Sequence, residues 1–225
     1  MTIEMNRVHK SFTHGPLLSR KNTLHVLHDI TFYLKAGELA WLKGPNGSGK
    51  TTLLKLLAML LVPDSGAITL DGIDLVEYPH RCKPLIGLSL GRERGLYQRL
   101  TARQNLMLFA ALGRLSPQAT PSAISQLIQS VEFNEPLDIP VAQYSEGAKS
   151  KLDLVRTLLH QPKLLLIDEP FHALDDDSQH TWGQFLSQYA FNNKIVVIAS
   201  HAIPPSLHPT HLLQLHEGSL TSSLA

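Results

Sequence analysis

A glycine-rich segment, residues 44–51 (GPNGSGKT), constrains this chain most, because it fits the pattern G-x-x-x-x-G-K-[ST]. The apolar residues 39–42 before it are typical of a buried strand. Residues 51–61 after it have the composition and length of a helix ended by Pro63. A glycine turn between strand and helix lets backbone N–H groups point at one anion, and the helix dipole favours the same charge. The segment predicts a loop that binds the phosphates of a nucleoside triphosphate. A glycine turn followed by a chance lysine is the alternative.

Two side chains of this loop have distinct expected roles. Lys50 is expected to reach the β- and γ-phosphates, and Thr51 to offer its hydroxyl to Mg²⁺. The residues predicted to bind the nucleotide here are the whole loop and the residue after it, namely Gly44, Pro45, Asn46, Gly47, Ser48, Gly49, Lys50, Thr51 and Thr52.

Two carboxylates follow a second apolar run. Residues 163–167 are typical of a strand buried on both faces, and Asp168 and Glu169 come directly after them. In phosphoryl transfer, an aspartate at this place is expected to hold Mg²⁺ through its water shell. Glu169 is then expected to orient or deprotonate the attacking water. A strand that ends in two solvated acids is the alternative, but the phosphate loop favours a triphosphate hydrolase.

Composition narrows the possible partners and location. The chain has 225 residues and a formal net charge of +1, so no whole-chain field indicates nucleic acid as a partner. A single cysteine, Cys82, fits a reducing compartment. No run approaches the roughly 18 to 20 apolar residues of a membrane span, and the N-terminus resembles no signal peptide. We therefore expect a cytoplasmic protein whose connection to a membrane, if any, comes through a partner chain.

The order of elements predicts an α/β fold. We expect one domain, residues 1–225, with a phosphate-loop NTPase core formed by residues 1–90 and 161–225. Its sheet should be mostly parallel with an antiparallel β edge. Residues 91–160 carry helical signals, including a capping box at Thr101 and Gln104, and predict an inserted α-helical subdomain. Residues 219–225 are expected to be a frayed tail.

The segment before the last of these helices allows two interpretations. Ser145 suits an N-cap, and the helix after it should bury Leu152, Val155, Leu158 and Leu159. Alternatively, Ser145, Gly147 and the helix N-terminus form a second phosphate site. That site cannot serve the nucleotide at Lys50 unless the inserted region folds back over it or another chain supplies it.

The series of motifs resembles the ATPase subunit of an ATP-binding cassette (ABC) transporter over essentially the whole chain. Residues 44–51 match the Walker A loop, residues 144–148 the signature motif, and residues 164–169 the Walker B motif with the catalytic glutamate. Residues 173–175 are similar to the D-loop. The remaining matches are single residues: the switch histidine, His201, and the aromatic residue that stacks on adenine, Phe12.

The resemblance implies ATP hydrolysis with Mg²⁺ in a head-to-tail dimer of two ATPase subunits. Ser145 and Gly147 would then bind the ATP held by the partner's Walker A loop. His201 would contact the γ-phosphate, Asp175 would link the two sites, and Phe12 would stack on adenine without reading its identity. A core phenylalanine is the alternative for Phe12.

The resemblance also implies an integral-membrane permease as partner and a place on the inner face of the cell membrane. Residues 94–106 are similar to exporter-type ATPases for drugs, polysaccharides and lipids. Residues 37–39, 44–46 and 168–171 together are similar to the ATPase of the haem exporter of cytochrome c maturation. The alternative is a soluble ABC ATPase that acts in iron–sulfur cluster assembly or in another non-transport process.

Two departures from the family pattern stand out. The signature reads Tyr-Ser-Glu-Gly-Ala in place of Leu-Ser-Gly-Gly-Gln, although the serine and second glycine are kept. Where the family has the Q-loop glutamine, this chain has Leu90 and Gly91. Glu93 is the nearest residue that could approach Mg²⁺, and a solvated charge run over residues 92–94 is the alternative.

Overall fold

The computed structural model describes residues 1–14, 22–91 and 95–225. These residues form two β-sheets and the helices that cover them. The strands are β1 (Thr2–His14), β2 (Asn22–Lys35), β3 (Leu39–Lys43), β4 (Ser65–Leu70), β5 (Ile73–Asp74), β6 (Ile86–Ser89), β7 (Leu164–Asp168), β8 (Ile195–Ala199), β9 (His211–His216) and β10 (Ser219–Leu224). The α-helices are α1 (Lys50–Leu57), α2 (Pro79–Cys82), α3 (Ala102–Leu112), α4 (Thr120–Ser130), α5 (Glu146–Leu158) and α6 (Asp176–Phe191).

The larger sheet confirms the predicted α/β fold class. Its strand order is β10-β9-β3-β8-β7-β6, and the neighbouring strands pair in parallel except β10, which runs antiparallel to β9 at one edge. The smaller sheet, β2-β1-β4-β5, is antiparallel throughout. Parallel strands end at a common edge, so the loops after β3, β7 and β8 lie together.

The central strands of the larger sheet are buried on both faces, as their apolar runs predict. All residues of β7 and β8 are buried. Alternate residues divide between two cores: Leu164 and Leu166 pack with α1 and the smaller sheet, whereas Leu165 and Ile167 pack with α3 to α6. Because α3 to α5 share a core with the sheet, the subdomain bounds at residues 91 and 160 stay a prediction.

The helix signals were correct at two of the predicted helices. Thr101 and Gln104 form both hydrogen bonds of a capping box at the start of α3. Ser145 caps α5, and the predicted stripe of Leu152, Val155, Leu158 and Leu159 is buried. Within the described residues, no helix has the length and apolarity that a bilayer crossing requires.

Three sequence expectations were wrong or incomplete. Helix α1 ends at Leu57 and not at residue 61, since Met59 takes a left-handed φ of 55°. Residues 219–224 form β10 and are not a frayed tail, because the backbone groups that face β9 pair with it whatever side chains the segment carries. Helix α6 was not predicted, because its sequence is largely polar and only Trp182, Leu186 and Ala190 mark the buried face.

Candidate active site

The glycine-rich loop joins β3 to α1, as its sequence predicts. Gly49 is the N-cap of α1 and has φ 106°, a conformation that L side chains rarely adopt. A Cβ at Gly49 would lie 2.8 Å from a methyl carbon of Leu27, so packing against β2 excludes larger residues as well. The loop can therefore turn tightly and direct backbone N–H groups to a common point.

The loop encloses the lysine that begins α1. Lys50 is only 7% exposed. Its Nζ donates hydrogen bonds to the carbonyl oxygens of Gly44, at 2.7 Å, and Pro45, at 3.2 Å. The hydroxyl of Ser48 is buried in the same loop and has no hydrogen-bond partner among the described residues. The loop thus concentrates positive charge and donors where the sequence predicts phosphates.

Helix α1 and strand β7 meet through the two predicted magnesium ligands. Thr51 Oγ1 donates a hydrogen bond of 2.6 Å to Asp168 Oδ2. A hydroxyl and a carboxylate next to a phosphate loop are oxygen donors that Mg²⁺ accepts, so these residues fit the cation. When bound, Mg²⁺ would neutralise phosphate charge. Glu93, the further candidate ligand, lies outside the described residues.

Glu169 leaves β7 in a constrained conformation. Its φ is 50°, in the left-handed region, while its N–H donates to the carbonyl of Ala199 at the end of β8, at 2.7 Å. The side chain is 35% exposed. Backbone strain in a loop at the sheet edge, held by a neighbouring strand, is typical of functional positions.

His201 brings the phosphate loop and the carboxylate together. Its Nε2 lies 2.8 Å from Asn46 Oδ1 and 3.8 Å from Glu169 Oε1. With Nε2 protonated, the imidazole donates to the Asn46 amide oxygen. Three loops, after β3, β7 and β8, thus supply Asn46, Glu169 and His201 to one place. The sequence proposed these residues separately, and their mutual contacts were not predicted.

Sequence reasoning missed Ser200. The residue is 3% exposed, and its hydroxyl lies 3.0 Å from Glu169 Oε2 and 2.6 Å from the carbonyl oxygen of Ala202. A hydroxyl has one proton, which these two acceptors share, and the Ala202 carbonyl oxygen is the nearer of them. The one available signal was a polar residue between the apolar strand and His201.

Removing that hydroxyl is expected to lower turnover. In Ser200→Ala, Glu169 loses the donor that holds its carboxylate, so we expect kcat to fall roughly tenfold, the effect of about 1.4 kcal/mol. Ser200→Thr, which keeps the hydroxyl, is the matched comparison. Steady-state phosphate release measures both. Equal activity of the alanine and wild-type proteins would contradict a role in holding Glu169.

The signature region lies at exposed helix ends. Ser145 is exposed, and its side chain accepts a hydrogen bond from Ala148 N–H at 3.1 Å, so the capping interpretation holds whatever else the residue does. Gly147 packs on the D-loop, since a Cβ there would lie 2.6 Å from the Ala173 carbonyl oxygen. Asp175 caps α6, and the N–H of Ser178 lowers the pKa of its carboxyl.

Phe12 is half-buried on β1, opposite Leu24 of β2, and does not belong to the fully buried core. The ammonium of Lys10 lies 5.5 Å from the ring centroid. The ring therefore keeps accessible surface, which the alternative of a core phenylalanine does not predict. Its stacking on adenine stays a prediction.

Comparison with known proteins assigns the family. The sequence profile described as "ABC transporter" matches residues 27–172, more than half of the chain. The chain belongs to the ABC transporter family. It is 34% identical over 182 residues to the ABC transporter ATP-binding protein NatA of Bacillus subtilis, covering 81% of this chain and 74% of NatA. It is 32% identical over 176 residues to the Nod factor export ATP-binding protein I of Burkholderia orbicola. That match covers 78% of this chain and 58% of the relative, so the chain spans less than two thirds of that protein's length.

Solved ABC cassettes have the same fold. The dimeric cassette MJ0796, bound to ADP and phosphate, superposes with a TM-score of 0.87 at 22% identity, covering 99% of this chain and 98% of that one. An ATP-binding subunit of an ABC transporter gives 0.82 at 25% identity, covering 100% of this chain and 90% of the other. This chain is accordingly an ABC-type ATPase, and ATP hydrolysis by such cassettes generally involves Mg²⁺.

Proposed function

We propose that this chain is the ATP-hydrolysing subunit of a membrane exporter and works by ATP-dependent closure of a dimer. The convergence of Asn46, Glu169 and His201 beside the Lys50 loop carries this proposal. Lys50 provides a charge that binds phosphate, Glu169 a base, and His201 with Asn46 a polar contact. All of these groups lie at the carboxyl ends of the parallel strands. Such a set suits transfer of a phosphoryl group to water.

In the proposed reaction, Glu169 accepts the proton of the attacking water while Ser200 holds its second carboxylate oxygen. Lys50 compensates the charge that develops on the β- and γ-phosphates as the bond between them breaks, which leaves ADP and inorganic phosphate. His201, held by Asn46, is placed to contact the γ-phosphate. Phe12 supports adenine by its ring face alone, so we expect the rates with ATP and GTP to differ by much less than the roughly 10⁴-fold that hydrogen-bonded discrimination can reach.

The second half of each site is proposed to come from another ATPase subunit. Ser145 is exposed at the N-terminus of α5, where the backbone N–H groups carry partial positive charge that suits a γ-phosphate presented by a partner. Gly147 packs on the D-loop, so Asp175 is linked to the same surface and is proposed to couple the two sites. Glu146 leaves the backbone donors of this helix end unaltered.

A groove between α1, β6 and α3 is the surface that we propose for the permease. Its volume is about 410 Å³, and its lining includes Leu60, Leu90, Tyr97, Phe109 and Arg156. Leu60 and Tyr97 are 57% and 55% exposed, an unusual state for large apolar side chains that form one concave surface. Leu90 directly follows β6, so an occupant of the groove would contact the position where the family has its Q-loop glutamine.

Export, and a place on the inner face of the cell membrane through the permease, are proposed from the relatives. Relatives are named for Nod factor export and for multidrug transport, which are properties of those proteins. A soluble scaffold as the partner would instead favour the iron–sulfur assembly function.

The partner can be tested with groove variants. We expect the tagged wild-type protein to co-purify with a polytopic membrane protein from detergent-solubilised membranes, and Tyr97→Asp to lose that partner while still binding ATP. Leu112→Asp, at an apolar residue that is 66% exposed outside the groove, is the control. Retention of the membrane protein by Tyr97→Asp would exclude the groove, and isolation of a soluble scaffold would exclude transport.

A further inference from the structure

A buried cluster of charged and polar side chains joins the signature helix to the edge strand of the larger sheet. Asp153, on α5, is 6% exposed. One of its oxygens, Oδ2, accepts a 2.5 Å hydrogen bond from Ser89 Oγ at the end of β6. The other, Oδ1, accepts a 2.8 Å hydrogen bond from Arg156 Nε one turn further along α5.

Arg156 extends the cluster to two further groups. Its Nη2 donates to the carbonyl oxygen of Leu88 in β6 at 3.1 Å, and its guanidinium lies 4.9 Å from the ring centroid of Phe109 on α3. A side chain at position 95 would collide with the Asp153 carboxylate, so the chain passes close over the ion pair at Gly95. The cluster therefore holds α5 to β6 by two hydrogen bonds: Asp153 accepts one from Ser89, and Arg156 donates one to the Leu88 carbonyl oxygen.

The position of this cluster connects the two halves of the proposed site. Ser89 pairs with Ile167 of β7, the residue before Asp168. Helix α5 begins at its N-cap Ser145, and Asp153 lies roughly 12 Å further along the axis at 1.5 Å per residue. One hydrogen bond, from Ser89 to Asp153, thus connects the strand beside the hydrolytic carboxylates to the helix that presents Ser145.

The hydrogen bonds of this cluster can fix the rotation of α5 about its axis, which apolar packing does not. The apolar face of α5 resists separation from the sheet but is less sensitive to small rotations about the helix axis. A buried ion pair contributes little net stability compared with apolar side chains, yet its hydrogen bonds have a narrow geometric optimum. The expected benefit of Asp153 is therefore a fixed orientation of α5.

We propose that Ser89, Asp153 and Arg156 are positioning residues that fix the orientation of α5, and hence of Ser145, relative to the sheet edge that carries Asp168 and Glu169. The inference rests on the proposed function, because Ser145 is taken to act on the nucleotide of a second subunit. None of the three side chains needs to touch that nucleotide.

The test compares nucleotide binding by one subunit with ATP-dependent dimer formation by two. In a Glu169→Gln background, which should accumulate the ATP-bound dimer, Ser89→Ala is expected to weaken dimerisation about tenfold, the change that corresponds to about 1.4 kcal/mol. The affinity of the single subunit for ATP should stay within about twofold, since the Lys50 loop is unaltered. Ser89→Thr, which keeps the hydroxyl, should restore dimerisation.

A control and a second variant separate positioning from loss of folding. Arg103→Gln breaks an exposed ion pair with Asp138 in the same part of the chain and should leave dimerisation unchanged. Asp153→Asn keeps the side-chain volume and should weaken dimerisation like Ser89→Ala. Sedimentation at high protein concentration, well below the melting temperature of each variant, measures the dimer constants.

The outcomes distinguish the inference from the function on which it rests. Equal dimer constants for the Ser89→Ala and Ser89 proteins, both with Glu169→Gln, would overturn the positioning role and leave the two-subunit site intact. A parallel loss of ATP affinity by the single subunit would also overturn it, because the defect would then be general. Absence of an ATP-dependent dimer in the Glu169→Gln protein itself would overturn both the proposed dimer and this inference.

Discussion

Lys50→Ala is expected to abolish ATP hydrolysis. Lys50 is 7% exposed and its ammonium is held by the carbonyl oxygens of Gly44 and Pro45, so its charge is fixed inside the loop. Removing one preorganised donor to transition-state charge costs roughly 3 to 4 kcal/mol, or about 10²- to 10³-fold in kcat. Phosphate release at saturating ATP and Mg²⁺ measures the loss, and titration with ATP measures any loss of binding.

Lys55→Ala is the matched control, because Lys55 belongs to the same helix but lies one turn beyond the loop. It should keep activity close to wild type. Lys50→Arg tests whether a positive charge of a different shape supports ATP hydrolysis. The planar guanidinium does not fit the space of a compact ammonium, so we expect little recovery. Phosphate release at the wild-type rate by Lys50→Ala would show that this loop is not the phosphate site.

Local signals were enough to predict the phosphate loop and its surroundings. The glycine pattern, the apolar strand before it and the helix after it are contiguous. The structure of residues 39–57 could therefore be predicted from these residues alone. Strand β7 was predicted equally well, since a continuous apolar run followed by two acids is also a local pattern. The same reasoning identified the caps Thr101 and Ser145, which act within one helical turn.

Contacts between distant residues could be predicted only where known chemistry requires them. Thr51 and Asp168 are 117 residues apart and were proposed together because Mg²⁺ needs both oxygens. Asn46 and His201 are 155 residues apart, and nothing in the sequence indicates their hydrogen bond. The bonds of Ser200 to Glu169 and of Ser89 to Asp153 likewise depend on strand order, which sets which strand ends are neighbours.

At the position of the absent Q-loop glutamine, the structure places residues that contact the proposed permease groove and the signature helix. Leu90 and Gly91 offer no side-chain oxygen to a cation, yet Leu90 lines the groove that we propose for the permease. Just before it, Ser89 is engaged with Asp153 on the signature helix. Contact with a partner at this loop can therefore reach α5 through Ser89. The sequence shows that the glutamine is missing, but it does not reveal the hydrogen bond between Ser89 and Asp153.

Glu169→Gln is expected to bind ATP without turning it over. The amide keeps the size of the side chain and can still accept a hydrogen bond from Ser200, but it cannot take a proton from water. Loss of a general base costs about 10²- to 10⁴-fold in rate. The ATP-bound dimer should therefore accumulate, and sedimentation with ATP and Mg²⁺ at high protein concentration, or in complex with the permease, should detect it.

Adding Ser145→Arg to Glu169→Gln is expected to dissolve that dimer. Ser145 is exposed at the N-terminus of α5, so a bulky cation there blocks the approach of a second nucleotide-bound surface. The loss of the N-cap and the placing of a cation at the positive end of the helix cost the isolated subunit about 1 kcal/mol, so the melting temperature of the variant is measured alongside. Gln126→Arg, which adds the same side chain at an exposed site on α4, should leave the dimer intact. Normal hydrolysis by Glu169→Gln would remove Glu169 as the base. A dimer that survives Ser145→Arg would mean that Ser145 does not face a nucleotide across the interface, and the two-subunit mechanism would have to be abandoned for this chain.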